Sequence, residues 1–397
     1  MEYSSEITES RQVQPVKILN VNMSIDSVLG GGTAERTVQM SRFLSRYGHE
    51  CTILTLDIGL TPERIDALSR DRVKVVALPC LIRRFYVPIF SFSKVQQLVA
   101  DSDIIHLMSH WTFLNALVYY CARSQKKPYV VCPSGSLPIF GRLKLTKKIF
   151  NAIAGNRMNR NASRCIACAP REIPYLVKCG ANKQSISIIP NGICVEDYLI
   201  EDNNSFRRAY GLSDAPIILF VGRLNPIKGP DMLLRAFCAA RDKLPHQLVL
   251  AGSDGGMLRE LEDIVRNEDV NKRVHFLGHI SGIQKSMAYN AADILVIPSR
   301  SEPLPIVLLE AGAAATAVLI TDQCGFNDIA DIGGGLVVPA TTEGIMRGLI
   351  NILAQPREPE SMGKKLHQYT KEHFSWDRVV HKYINLYEHI LSERIRS

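Results

Sequence analysis

No stretch of this sequence approaches the roughly 18 consecutive apolar residues of a membrane span, and the polar start MEYSSEITESRQVQP has no signal-peptide core. The expected place is therefore the cytoplasm, with attachment to the inner face of the cell membrane left open. Cys165-Ile-Ala-Cys168 has no second pair at zinc-ligand spacing, so the ten scattered cysteines read as reduced core residues. No G-x-G-x-x-G is present either. Acidic residues are missing from Ile104 to Arg171, while Arg123, Lys126, Lys127, Arg142, Lys144, Lys147, Lys148, Arg157, Arg160, Arg164 and Arg171 all fall there. The net charge of +8 is thus concentrated in one region and the rest of the chain is slightly acidic. A local field of that sign attracts phosphate, in a membrane surface or in an acidic acceptor. No nucleic-acid motif accompanies it, so a nucleic-acid partner is not expected.

What is present is an ordinary globular composition, 46% hydrophobic and 22% charged, in 397 residues, a length that favours two domains. After a lead over 1–15 expected to be disordered, Val16 to Val21 reads as a strand, followed by Gly30-Gly31-Gly32 and a helix from Thr33 to Tyr47. The glycines let backbone approach a diphosphate closely, although a plain flexible turn explains them about as well. Further strands are expected at 51–56, 73–78, 104–107 and 129–132, with a strand and turn over 186–192, giving a first domain over 16–195. Residues 196–213 are polar and turn-rich and read as a linker. The pattern restarts at Ile217 to Val221 for a second domain over 214–375, and 376–397 reads as a last helix.

Two loops of the second domain carry chemistry. Arg223 and Lys228 follow the strand ending at Val221, and two cations so spaced can converge on one diphosphate. Later, the run Ile294–Ile297, a loop with Glu302, a helix from Val307 to Ala315 and the run Val318–Ile320 form a strand, loop, helix, strand unit. Pro305 suits the first helical turn. The helix mouth formed by Leu304, Pro305 and Ile306 offers free N–H groups to a phosphate, with Glu310 about two turns further along.

The segment Glu302-Pro-Leu-Pro-Ile-Val-Leu-Leu-Glu310-Ala resembles the E-x7-E signature of retaining glycosyltransferases of family 4, with the GT-B fold. Gly222-Arg223-Leu-Asn-Pro-Ile-Lys228-Gly229 is similar to that family's arginine and lysine motif, with one fewer intervening residue than some relatives. Gly48-His49, Asp103-Ile-Ile-His106 and Ile189-Pro-Asn-Gly192 add to the resemblance. It implies two Rossmann-like domains facing across a cleft, an acceptor-side first domain, a nucleotide-sugar second domain, and a last helix crossing back to the first.

The implied activity is retaining, metal-independent transfer of a hexosyl group from a UDP-, GDP- or ADP-sugar, with no cofactor, to a glycan or a polyprenyl- or lipid-linked glycan. Cell-surface polysaccharide or glycolipid synthesis would be the setting. Arg223, Lys228 and Glu302 are the implied catalytic residues. Gly31, Gly32, Arg223, Lys228, Leu304, Pro305, Ile306 and Glu310 are the implied donor-binding residues, with Glu302 on the sugar and Glu310 on the ribose. The chain departs from the family at Pro133-Ser134, where relatives place a histidine or arginine, and either this pair or His106 or His110 is left to take over that contact. Packed histidines remain the alternative for both. Asp101-Ser-Asp103 imitates a metal-chelating D-x-D, yet Asp103 is expected at a strand start. Residues 141–164 place Leu145, Ile149 and Ile153 on one helical face among lysines, either as a seat on an anionic membrane or as a packed helix with a basic rim. A nucleotide-sugar epimerase and a catalytically silent sugar-nucleotide binder are the rival readings.

Overall fold

The computed structural model describes residues 14–26, 29–83, 86–89, 92–138, 144–200, 204–302, 304–326, 328–355 and 357–396. Most of the expected lead over 1–15 lies outside these residues, as do 141–143 of the basic segment and Pro303 of the two-glutamate signature.

The first half contains β1 (Lys17–Val21), β2 (Glu50–Leu56), β3 (Val73–Leu78), β4 (Cys80–Ile82), β5 (Val87–Pro88), β6 (Ile104–Met108), β7 (Tyr129–Cys132), β8 (Arg164–Ala167) and β9 (Ile186–Ile188). The second contains β10 (Ile217–Val221), β11 (Gln247–Ala251), β12 (Val274–Gly278), β13 (Ile294–Ile297), β14 (Ala317–Thr321) and β15 (Gly335–Val338). Apart from the small β4–β5 pair, they form two parallel sheets, in the orders β3-β2-β1-β6-β7-β8-β9 and β12-β11-β10-β13-β14-β15. Both orders reverse direction beside their first strand, and open parallel sheets bind ligands in the crevice at that reversal, beyond the carboxyl ends of the strands.

Continuous apolar runs such as Ile294–Ile297 suit strands covered on both faces. Alternate residues supply the two layers of core. Ile18 and Ile53 face one side of the first sheet, and Leu19 and Leu54 the other. Ile217 and Leu219 divide in the same way from Ile218 and Phe220 in the second.

Between the sheets, residues 196–213 are not plain connecting chain. They include a helix, Asn204–Tyr210, whose Phe206 is fully buried in the core of the second half. The chain passes between halves twice, and the passages lie side by side: Ile193 N–H donates to the Phe374 carbonyl at 2.8 Å, and Trp376 N–H to the Ile193 carbonyl at 3.0 Å. The helix Trp376–Arg396 then covers the first sheet, burying Trp376, Val379, Val380, Tyr383 and Tyr387 beside the helix Gly31–Arg46. Trp376 stacks on Phe43 with ring centres 5.9 Å apart. Each large side chain buried this way contributes roughly 1.5–3 kcal/mol.

The basic segment is not one regular helix. It runs as Lys144–Phe150, a π-helical turn Asn151–Gly155 and Asn156–Arg160. Leu145 is 71% exposed, Ile149 50% and Ile153 59%, so this stripe faces solvent and the packed-helix alternative fails for it. Ala154 and Met158 form the buried side instead. Among the described residues, no helix is long and apolar enough to cross a membrane.

Candidate functional site

A cleft of about 1160 Å³ runs between the two sheets. Gly30, Gly31 and Gly32 line it from the loop and helix after β1, while Arg223 and Lys228 come from the loop after β10 and Glu302 from the loop after β13. Leu304, Ile306, Val307 and Glu310 complete that wall. The carboxyl ends of the strands at both reversal points therefore open onto one space.

The second-half loops are braced from below. Arg300 N–H donates to the Ile227 carbonyl at 2.7 Å, and its guanidinium donates to the Pro226 carbonyl and to both oxygens of Asp231 at 2.6–2.9 Å. This bidentate geometry ties the Lys228 loop to the Glu302 loop. Gly229 has φ 67° and caps the helix Pro230–Ala240, and any side chain there would strike the Pro298 carbonyl. Glu302 is fixed by its own backbone, its N–H donating to the Gln323 carbonyl at 3.1 Å and its carbonyl accepting from Gly325 N–H at 2.8 Å.

Two cation–carboxylate pairs lie in the cleft wall. Lys228 Nζ donates to Glu302 Oε1 at 2.5 Å, and Glu302 Oε2 accepts from the Ser299 hydroxyl at 3.0 Å. Lys285 Nζ donates to Glu310 Oε1 at 2.6 Å, and the Tyr289 hydroxyl to Glu310 Oε2, also at 2.6 Å. Glu310 is 3% exposed. Burial and this carboxylate hold the Tyr289 phenol well above its ordinary range.

The helix after Glu302 runs Ile306–Ala313, shorter at its end than the sequence pattern suggested, with Pro305 as its extended N-cap residue rather than in its first turn. Leu308 N–H bonds the Pro305 carbonyl at 3.2 Å. The N–H groups of Ile306 and Val307 precede any carbonyl of their own helix that could accept them, and both residues line the cleft while Pro305 does not. The first helix starts at Gly31, with φ 54°, rather than at Thr33. Gly32 closes the gap between halves: a Cβ there would come within 2.8 Å of Ile306 Cδ1.

The first half supplies residues that motif reading missed. Glu35, Gln39 and Arg64 line the cleft, with Gln39 donating to Glu35 at 2.7 Å and Arg64 paired to Glu35 at 3.4 Å. Glu35 and Gln39 share a helix face four residues apart, a visible but unspecific signal. Ser134 also lines the cleft, in the left-handed region at φ 48°, and so does Cys168.

His106 and His110 are packed. His106 Nδ1 meets the Tyr387 hydroxyl at 2.7 Å, and burial and Arg36 lower its pKa to about 3. His110 Nε2 meets Asn151 Oδ1 at 2.8 Å, and burial lowers it to about 4. Neither lines the cleft, whereas Ser134 does. Asp103 accepts from Lys17 N–H at 2.8 Å immediately before β6, a strand-start role. Among the described residues no cluster of His, Cys, Asp or Glu could hold a metal ion.

Comparison with known proteins gives the same division. Residues 30–197 match the model described as Glycosyltransferase Family 4, and residues 202–369 that described as Glycosyl transferases group 1. An uncharacterized glycosyltransferase of Methanocaldococcus jannaschii is 29% identical, covering 94% of this chain and 98% of its own. A D-inositol 3-phosphate glycosyltransferase of Geodermatophilus obscurus is 26% identical over 90% and 84%. Among solved structures, Anabaena HepE in complex with UDP and glucose superposes with TM-score 0.77 at 17% identity, covering 94% of this chain and 99% of that one. The sucrose-phosphate synthase of Thermosynechococcus elongatus superposes with TM-score 0.73 at 21% identity, over 95% and 99%. This likeness extends over nearly the whole chain, and the fold is GT-B.

Proposed function

We propose that this chain, a glycosyltransferase of the GT-B superfamily, transfers a sugar from a nucleotide-diphosphate donor to a glycan or lipid-linked glycan with retention of configuration. The observation that carries this reading is the convergence of Arg223, Lys228, Gly31, Gly32 and the Ile306 helix mouth on one cleft. Departure of the nucleoside diphosphate builds negative charge on its terminal phosphate. Two cations and the N–H groups of Ile306 and Val307 oppose that charge, and a single preorganised donor of this kind is worth about 3 kcal/mol. Glu302 serves the sugar and Glu310 the ribose. Lys228 and Glu302 are ion-paired with each other across the cleft wall, and donor binding brings phosphate to the first and sugar to the second. Front-face attack within the ion pair, with the leaving phosphate taking the acceptor proton, requires neither a protein nucleophile nor a metal. UDP bound to Anabaena HepE supports a nucleotide donor.

The test is a turnover and thermal-shift screen of UDP-, GDP- and ADP-sugars, with the anomeric configuration of the product read by NMR. Inverted product refutes retention. Conversion of donor without acceptor favours the epimerase, and binding without turnover the silent binder.

For the acceptor, the solvent-facing Leu145, Ile149 and Ile153 among the exposed Lys144 and Lys148 favour an anionic bilayer surface. The same segment reaches toward the cleft: Phe150 packs on Trp111, whose indole N–H donates to the Ser136 carbonyl beside Ser134. Neutralising Lys144, Lys147 and Lys148 together is expected to release the protein from anionic vesicles, since each cation near the surface is worth about 1 kcal/mol. Unchanged vesicle binding would remove this part of the reading.

A further inference from the structure

One buried charge in the first half has no part in the reaction above. Arg36, on the helix Gly31–Arg46, is 2% exposed. Its guanidinium donates to the Tyr383 hydroxyl at 2.5 and 2.9 Å, Asn191 Oδ1 at 2.5 Å, the Ile189 carbonyl at 2.8 Å and Cys168 Sγ at 2.9 Å. None of these is a carboxylate, yet a buried cation needs compensating negative charge. Glu172 is the neighbouring acid. Both its oxygens are taken by the N–H groups of Gly135 and Cys168, and burial holds its pKa up at about 8. It makes no hydrogen bond to Arg36.

The sulfurs are the remaining candidates. Cys132 ends β7 and Cys168 follows the adjacent β8, and the Ser134 hydroxyl bridges the two sulfurs. Ser134 Oγ lies 3.3 Å from one sulfur and 3.5 Å from the other. The Cys168 thiol, with help from Arg36 and Ser134, lowers the Cys132 thiol to about 7 while Cys168 is held up. Burial instead pushes Cys51, Cys165 and Cys324 up to about 12. Cys168 and Ser134 line the cleft, so a small oxidant reaches the pair from there.

We infer that Cys132 and Cys168 form a redox-modification site, an Arg36-assisted thiol pair on the cleft floor that a hydroperoxide closes to a disulfide. Cys168 passes its proton to Ser134 Oγ, whose own proton moves to Cys132, as the Cys168 sulfur attacks one peroxide oxygen. The O–O bond breaks, the other oxygen leaves as hydroxide or alkoxide and takes a proton from solvent, and Cys168 becomes a sulfenic acid. The Cys132 sulfur then attacks that sulfenic sulfur. An S–S bond replaces the S–O bond, and the hydroxyl leaves as water with the Cys132 proton. Two thiols lose two electrons and one peroxide gains them. The disulfide strips Arg36 of its anionic neighbour and shifts Ser134, which touches both sulfurs and already stands at φ 48°.

The full-length chain is treated with hydrogen peroxide, then mapped by non-reducing peptide mass spectrometry and assayed for glycosyl transfer before and after dithiothreitol. The expected result is a peptide cross-link joining Cys132 to Cys168, about 2 Da lighter than the free thiols. Transfer is expected to fall on the order of a hundredfold, the scale of a small misplacement in a site, and to recover on reduction. Cys132→Ala is expected to keep its own starting rate through the same treatment. Absence of the cross-link at a dose that oxidises the half-exposed Cys80 and Cys194 overturns the inference, as does a cross-link that leaves transfer unchanged. Alkylation of Cys168 in the native protein is a second measurement that needs no variant. Its rate is expected to climb through about pH 7, and a climb confined to pH 9 and above overturns the assignment. The cross-link and the alkylation rate require no donor sugar, so they stand or fall separately from the proposed reaction.

Discussion

The two halves repeat one strand order but balance the charges beneath the cleft by different means. In the second half charges are matched by charges: Lys228 with Glu302 between two loops, Lys285 with Glu310 between two helices, and Arg300 of a loop with Asp231 in the first turn of a helix. In the first half the charged centre is Arg36, hydrogen-bonded to hydroxyl, amide, carbonyl and sulfur, and the nearby histidines are buried and neutral. One half meets the cleft with two lysine–carboxylate pairs, while the other adds glycine backbone and the Arg64–Glu35 pair above a closely packed floor whose buried cation touches no carboxylate. Substitutions in the two halves should therefore fail differently.

The largest expected effect is on the electrostatic side. Lys228→Ala is expected to lower kcat/KM by about 10²–10³, with circular dichroism and melting temperature close to wild type, because the partner it leaves behind lies at the cleft surface. Near-normal transfer would remove the diphosphate role. A mid-sized effect belongs to the seam between halves. Gly32→Val drives a side chain into Ile306, an overpacking worth roughly 1–3 kcal/mol, and is expected to raise the donor KM about tenfold at that scale. Adding Ile306→Ala should recover most of it. Failure to recover would mean that Gly32 serves the donor by backbone approach instead of by clearance.

The smallest effect is on stability. Burial lowers His106 to about 3 and His110 to about 4, so below pH 6.5 the unfolded chain takes up protons that the folded first half refuses. Stability present above pH 6.5 is then lost as pH falls toward 4. Glu172, raised to about 8, acts in the opposite sense, losing stability as pH rises from its unfolded value, and offsets part of the two histidines. Both tryptophans report on the first half: Trp111 follows β6, and Trp376 packs in its core. Melting followed by tryptophan fluorescence is expected to drop between pH 7 and pH 5 by more than melting followed by far-ultraviolet circular dichroism. Coincident shifts would erase the contrast.

The same asymmetry governs what could be read from the sequence. Arg223, Lys228, Glu302 and Glu310 follow apolar runs that mark strand ends, so their approach to one cleft follows from topology alone. The cluster of Arg36, Cys132, Ser134, Cys168 and Glu172 draws on strand ends some thirty-five residues apart and a helix a hundred residues earlier, and no local spacing announces it. Phe206 anchors the helix Asn204–Tyr210 as a lone apolar residue in a polar run, which gives no periodicity to detect. The π-helical turn at Asn151–Gly155 is equally silent. A side chain at Gly155 would meet His110 Nε2 at 2.7 Å, a demand set by packing between distant segments.

The helix Trp376–Arg396 also dictates an order of assembly. As the polypeptide is made, the first sheet emerges early but one flank stays bare until residues beyond 375 have been synthesised, whereas the second sheet can complete its core sooner. The earlier lobe is thus the later to mature, and in that interval its uncovered face is where a nascent chain would most need shielding from aggregation.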